Sequence, residues 1–311
     1  MFDTMARPTR IFDELKALLA DSVVRLDEPL AKKTTLRVGG NADAYVEPAS
    51  ERDLSAALRF CRQHDVPFRI LGRGSNLLVR DGGVRGLVIS LAHPHFSRIE
   101  VEGALLHCGA GAKLKAVSVK ARELNLTGLE FLEGIPGSVG GALRMNAGAM
   151  GGATLEVVTK VRFMDHAGEM CEREIAQVPV QYRSCPLFEE NIALGATFRG
   201  QPGTKEAIAK RTSEFNERRW SSQPKEPSAG CIFKNPLPTL SAGKLIEELG
   251  LKGTRSGGAM ISTVHGNFII NDHDATAQDV LHLIDMIQAR AKQERGIELH
   301  TEVEIIGQDL D

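Results

Sequence analysis

Aromatic side chains make up only 5% of this 311-residue chain, with one tryptophan and two tyrosines. Surfaces that read nucleic acid interleave cationic patches with stacking rings, so this scarcity argues against that class of partner. Charge of one sign is lacking as well. Thirty-eight lysines and arginines against 40 aspartates and glutamates leave a net charge of −2, which offers no broad cationic face. Five cysteines (Cys61, Cys108, Cys171, Cys185 and Cys231) are scattered and form no CxxC pair. That pattern argues against a disulfide framework or a zinc site and fits a reducing compartment, so a cytoplasmic location is expected. Long apolar runs are missing too. The start, MFDTMARPTRIFDELKALLADS, lacks the uninterrupted apolar core of a signal peptide; Ile11, Phe12, Leu15, Leu18 and Leu19 fall instead on one helical face. No later stretch reaches the length of a membrane span, so no membrane partner is expected.

What is present is ordinary for a folded protein: 42% hydrophobic and 25% charged residues, over a length of roughly two domains that can bury several cores. Helices and strands alternate early. Ser50 and Asp53 sit at capping-box spacing before a helix running to about His64, and FRIL reads as a strand entering RGSN. LLVRDGGVRGLVISL carries Asp81, Gly82 and Gly83 between two apolar runs, which predicts a hairpin. Strands are expected on either side of Gly103, and a helix over KLKAVSVKARELN from the spacing of Leu114, Val117, Ala121 and Leu124. Segment 133–152, EGIPGSVGGALRMNAGAMGG, is too rich in glycine to be an ordinary helix or central strand throughout. VVTKVRFMD and NIALGATFRG look like antiparallel strands. A polar helix then leads into SSQPKEPSAG, whose prolines mark a boundary. Beyond it come a helix closed by Gly250, strands at AMIST and NFIIN, and a helix with Thr276 and Asp279 as a capping box. In the terminal IELHTEVEIIG, alternation predicts a strand with Ile297, Leu299, Val303 and Ile305 facing a core and Glu298, His300, Glu302 and Glu304 opposite.

Two of these segments offer bare backbone to a ligand. LGRGSNLLV places glycines and small polar side chains directly after a strand, where free N–H groups can form a nest for phosphate oxygens, although it is neither a Walker motif nor GxGxxG. GIPGSVGGALRMNAGAMG supplies a second such surface, with Asn146 as a side-chain donor and acceptor and Pro136 stiffening the approach. The pair suits a flat cofactor carrying a pyrophosphate.

The succession of GRGSNLLV, GIPGSVGGALRMNAGAMGG, YRSC, AGCIFKNP, HGNFIIN and LHTEVEIIG resembles the UDP-N-acetylenolpyruvoylglucosamine reductase family, from about Thr34 to Gly307. The resemblance implies an α+β fold: a two-part flavin domain of the PCMH type, similar to vanillyl-alcohol oxidase, plus a C-terminal α+β substrate domain. It divides the chain into residues 1–90 and 91–201 for the flavin, with 297–311 as a candidate return to the first part, and 202–296 for the UDP-sugar. It implies non-covalent FAD held by Gly72, Arg73, Gly74, Ser75, Asn76, Leu77, Gly134, Ile135, Pro136, Gly137, Ser138, Gly140, Gly141, Asn146, Ala147 and Gly148. NADPH would reduce the flavin, and UDP-N-acetylglucosamine enolpyruvate would be the substrate, in peptidoglycan precursor synthesis.

Three positions match the family's catalytic ones. Arg183, in YRSC, would hold the substrate carboxylate and stabilise the enolate, a task suited to a permanently charged, forked donor; in isolation it would read as a surface ion pair. Glu302 would orient the intermediate, although spacing alone does not separate it from Glu298 or Glu304. Cys231 stands where the family commonly has a serine proton donor. A free thiol, with a pKa of about 8.5, is mostly protonated near neutrality and is a stronger acid than an alcohol, so it can serve that role. A lone cysteine is otherwise usually a buried structural residue. Tyr182, Arg219, Gln223, Lys234 and Asn235 are candidate substrate contacts, against the plainer reading of packed or solvated loop residues. Met150 departs from the family's common tyrosine, and the short span from Val157 to Arg183 leaves no room for an additional loop over the substrate, so the compact form is expected. His93 and His95 have no acidic or cysteine partner at ligand spacing, and no metal is expected. With no evident heptad, a monomer is the default. The competing readings are another FAD oxidase of alcohols or sugars on the same fold, and a non-catalytic nucleotide-binding module.

Overall fold

The computed structural model describes residues 6–310, with side chains from Phe12 onward. By its contacts the chain divides into two units: residues 6–26, 44–72 and 86–217 in the first, and 27–43, 73–85 and 218–310 in the second.

The first unit has two cores. In one, Phe12, Leu15 and Leu19, from helix α1 (Ala6–Leu18) and its end, pack with Leu54, Leu58 and Phe60 of helix α2 (Glu51–Gln63). Ser50 opens α2 by accepting from the Asp53 N–H at 3.2 Å, as its capping spacing predicts. Leu18 departs from the expected apolar face: it is 52% exposed, while the Ile11 side chain lies outside the described residues. Strand Phe68–Leu71 runs parallel to residues 87–90. The other core lies beside a five-stranded antiparallel sheet in the order Met170–Glu174, Val158–Met164, Ile192–Arg199, Leu105–Gly109, Ile99–Glu102. Leu106, Val161 and Phe198 from that sheet meet Val117 of helix α3 (Leu114–Glu123) and Leu143 of helix α4 (Val139–Met145). So the glycine-rich segment does contain a helix, but one of seven residues. Helix α5 (Leu187–Glu190) follows, and α6 (Lys205–Ser222) carries the chain into the second unit.

There, a four-stranded sheet ordered Ser228–Cys231, Phe268–Asn271, Ala259–Ile261, Arg255–Ser256 is covered by helix α8 (Ala277–Arg295), with helix α7 (Ala242–Glu248) against the same core. Thr276 and Asp279 form the reciprocal capping box at the start of α8, and Gly296 ends it at φ 64°.

Two expectations fail. The segment 77–90 is not a hairpin: Leu77–Val79 pairs in parallel with Glu304–Ile306, more than 200 residues later. Its Asp-Gly-Gly turn is used differently, because Asp81 accepts from the N–H groups of Ala277 and Gln278 at 2.8 and 2.9 Å and so caps α8. Gly82 and Gly83 are needed for close approach, since a Cβ on either would lie 2.2 Å from Asp309 O or 2.0 Å from Asn41 O. The terminal alternation also breaks. Leu299 and Val303 are buried, but only Glu304–Ile306 is strand. No described helix is long and apolar enough to cross a membrane.

Candidate active site

In the first unit, the turn Gln181–Ser184 displays Tyr182 and Arg183. Gln181 and Ser184 exchange backbone bonds at 3.0 and 3.4 Å, and Arg183 takes φ +56°, a left-handed conformation that costs a non-glycine residue about 1–3 kcal/mol. Its guanidinium lies 5.0 Å over the Tyr182 ring and donates from Nη2 to Gly148 O at 3.5 Å. Gly148 is required there: a Cβ would sit 3.1 Å from Arg183 Nη1 and 2.7 Å from Gly152 O. Tyr182 itself is 62% exposed. Asn146, which is left-handed at φ 43° and buried, donates from Nδ2 to Gln181 O at 3.2 Å and accepts the Leu155 N–H on Oδ1 at 3.1 Å. Its amide is therefore engaged by protein backbone.

Other glycines of this segment differ in what holds them. Gly140 is held by packing, with a Cβ 3.1 Å from that of Ala110, while the Val139 and Gly140 N–H groups donate to Ala112 and Ala110. Gly134 differs. Its φ is not positive and a Cβ there would meet nothing within 4 Å; Gly141 would meet only Ser138 Oγ at 3.7 Å. No protein atom demands glycine at either place. Bare backbone with open space before it fits a group pressed against the chain. Gly72, whose Cβ would lie 3.2 Å from Ser138 Oγ, belongs to this same unit. Ile135 and Gly137 brace the approach through a Gly137 N–H to Ile135 O bond, and Ala147 accepts the Thr154 hydroxyl at 2.6 Å.

Arg73, Gly74, Ser75, Asn76 and Leu77 fall in the second unit. Gly74 is left-handed at φ +60°, and a Cβ there would strike Lys33 O at 2.5 Å. Asn76 Nδ2 donates to Glu302 O at 2.9 Å, and Asn76 O accepts the Glu304 N–H. Glu302 in turn donates its N–H to Ile232 O at 2.7 Å, so both backbone groups of Glu302 are tied, one to the residue after Cys231. Cys231 ends its strand at a register irregularity, preceded by Gly230 at φ +77°; bulges of this kind re-aim side chains beside functional sites. Cys231 and Glu302 are both half-buried. The structure thus brings Cys231, Glu302 and Asn76 into one cluster of the second unit.

The other expected contacts are dispersed. Lys234 is exposed, and Asn235 Oδ1 accepts the Ala242 N–H at 3.1 Å, capping α7. Gln223 is half-buried and bonded through its N–H to Arg219 O. Burial lowers the pKa of Arg219, which stacks 5.0 Å over Trp220; its Nε is, among the described residues, the one buried side-chain nitrogen or oxygen without a partner. Two positioning residues carry no sequence signal of their own. Thr35 donates its hydroxyl to Ser228 O at 2.7 Å and its N–H to Gly74 O, joining the loop of Asn76 to the strand of Cys231. Asn267 clasps Phe233 in both directions, at 2.9 and 2.8 Å. His95 does have an acidic neighbour, Glu51, which is 44 positions earlier and invisible to local spacing. Among the described residues, no group of three or more His, Cys, Asp or Glu side chains could hold a metal ion.

Comparison with known proteins adds to this geometry. Residues 223–306 match the C-terminal domain of UDP-N-acetylenolpyruvoylglucosamine reductase, and residues 42–173 match an FAD binding domain. The chain is 41% identical over 307 residues to the UDP-N-acetylenolpyruvoylglucosamine reductase of Geobacillus thermodenitrificans, covering 98% of this chain and 100% of that one. It is 39% identical over 300 residues to that of Staphylococcus aureus, covering 96% and 97%. Among solved structures, the reductase of Thermus caldophilus superposes with a TM-score of 0.79 at 38% identity, over 92% of this chain and 99% of the other.

Proposed function

Given that the chain belongs to the UDP-N-acetylenolpyruvoylglucosamine reductase family, FAD-binding oxidoreductases with an FAD binding domain and a distinct C-terminal domain, we propose that it reduces UDP-N-acetylglucosamine enolpyruvate to UDP-N-acetylmuramate with NADPH, in peptidoglycan precursor synthesis. The observation that carries this reading is the half-buried Cys231 at its register irregularity, with the next residue's carbonyl bonded to Glu302, in a chain that matches the family over 98% of its length. The backbone at Gly72, Gly134–Gly137, Ser138, Gly140 and Gly141 is assigned to FAD, and so are Arg73–Leu77. FAD held there would supply the redox chemistry, two electrons received from NADPH and passed on as a hydride to the terminal carbon of the enolpyruvyl group.

Negative charge then develops at the carbon bearing the ether oxygen and spreads into the adjacent carboxylate. Arg183 answers that charge with a fixed guanidinium, and its strained turn keeps the donor aimed without reorganisation. The Cys231 thiol gives its proton to that carbon; the S–H bond breaks, the C–H bond forms, and solvent returns the proton to sulfur. Glu302 orients the intermediate from a backbone tied to Ile232 and Asn76. Tyr182, Arg219, Gln223, Lys234 and Asn235 are assigned to the nucleotide sugar. Of these Arg219 is supported best, because an anionic ligand would satisfy its unpartnered Nε. Residues 1–90 and 91–201 are assigned to the flavin and 202–296 to the UDP-sugar. The scatter of five cysteines with no CxxC pair supports a reducing, cytoplasmic setting.

The test is anaerobic stopped-flow on the purified yellow protein, reduced with NADPH and then mixed with enolpyruvyl-UDP-N-acetylglucosamine. Rapid return of the oxidised flavin band with formation of UDP-N-acetylmuramate is expected. A flavin that stays bleached until oxygen enters would move the activity to an oxidase.

A further inference from the structure

The segment assigned to flavin holding also braces the turn that carries Arg183. Helix α4 ends at Asn146, which takes a left-handed backbone. From there the Arg144 carbonyl accepts the Cys185 N–H at 3.0 Å, the Arg144 guanidinium reaches Phe188 O at 3.1 Å, and Asn146 Nδ2 reaches Gln181 O at 3.2 Å. The Tyr182–Arg183 turn is thus bonded at both flanks to the end of one short helix. Only one of those bonds depends on a side chain bonded to the turn's first residue, that of Asn146. Its other end is fixed as well, since Oδ1 accepts the Leu155 N–H at 3.1 Å. A bond held at both ends transmits position, and Arg183 needs it because its φ of +56° is not one the residue keeps unaided.

We propose that Asn146 is a positioning residue for Arg183: its amide nitrogen holds the turn that presents the guanidinium, and its amide oxygen anchors that hold to the loop 147–155. The proposal rests on the carboxylate-binding role of Arg183 given above. It assigns the Asn146 amide to the oxidative half-reaction, in which the enolpyruvyl substrate is reduced, and not to flavin retention.

Asn146→Asp separates the two bonds. The carboxylate still accepts from Leu155 but cannot donate to Gln181 O. Flavin content, the flavin spectrum and the rate of reduction by NADPH should stay within about twofold of the parent, while reoxidation by the substrate slows by at least about tenfold, as a misplaced catalytic group requires. Asn146→Gly, which accepts the left-handed backbone freely and loses both bonds, should show the same asymmetry if the Asp variant does not fold. Arg183→Ala supplies the control. If Asn146 acts through Arg183, Asn146→Asp placed on Arg183→Ala should slow reoxidation by less than about twofold more. Loss of flavin, equal slowing of both half-reactions, or a full additional loss in the Arg183→Ala background would overturn the positioning role alone. Normal reoxidation in Arg183→Ala itself would overturn the carboxylate-binding role, and this proposal with it.

Discussion

Burial pushes the Cys61 and Cys108 thiols up to about 12 and raises that of Cys185, whereas Cys171 is exposed and Cys231 half-buried. Thiolate is the reactive form, so alkylation by iodoacetamide at neutral pH should be confined to Cys171 and Cys231. In a Cys171→Ser background, the remaining label should abolish reoxidation by substrate while NADPH still bleaches the flavin; peptide mapping that finds the label on a buried cysteine would refute this. Cys231→Ser should retain activity within about tenfold, because a hydroxyl can fill the same place, while Cys231→Ala should lose about 10²–10⁴-fold in the oxidative half-reaction. An alanine variant with normal reoxidation would remove Cys231 from the mechanism. Cys231 and Arg183 can be proposed from the chain because each lies in a short motif that matches the family's. The bonds of Thr35, Asn267 and Asn146 cannot be read that way. Their side chains act on carbonyls or amides that topology delivers from 34, 35 or 193 positions away, and no local pattern encodes such a bond.

At the level of elements, local chemistry was read where it is satisfied locally. The α2 cap at Ser50, the α8 box at Thr276 and Asp279, and the strands flanking Gly103 all follow from bonds spanning a few residues. The hairpin over 77–90 failed because an Asp-Gly-Gly turn between apolar runs says that the chain turns, not which partner each run then takes. Leu77–Val79 found a parallel partner at Glu304–Ile306, and Asp81 went to the N-terminus of α8. That capping has a measurable consequence. Asp81 satisfies two orphan N–H groups and places a negative charge at the positive end of the helix dipole. Asp81→Ala should therefore cost about 1–2 kcal/mol, read as a lower urea midpoint with an unchanged slope. Asp81→Asn, which keeps an acceptor and loses the charge, should fall between the two. Equal midpoints for all three proteins would show that the cap contributes nothing.

For the whole molecule, the chain passes between its two units at 26/27, 43/44, 72/73, 85/86 and 217/218, so each unit is assembled from separated segments. A reading that runs along the sequence cannot see such interleaving, since composition shifts mark linkers and most of these crossings occur inside strands or a helix. The interleaving still leaves each unit with its own acid-sensitive group. In the second unit, burial first and the nearby Lys252 next lower the pKa of His265 from its ordinary 6.5, and Nδ1 accepts the Asn267 N–H, a role only the unprotonated nitrogen can fill. In the first unit, burial raises the Glu51 carboxyl, but the bond from His95 and the charges of His95 and Arg162 outweigh it and leave the pKa below 4.5. In both cases the unfolded chain takes up a proton before the folded one does, so stability is full above the unfolded pKa and is lost as pH falls towards the folded value. Loss should begin below about pH 6.5 through His265 and deepen below about pH 4.5 through Glu51. The single tryptophan, Trp220, lies in the second unit, so its fluorescence should follow the upper limb, while far-UV circular dichroism follows both. His265→Gln should flatten stability between pH 6.5 and 5 without moving the lower limb, and Glu51→Gln should do the reverse; two variants with the parent's profile would place the acid sensitivity elsewhere.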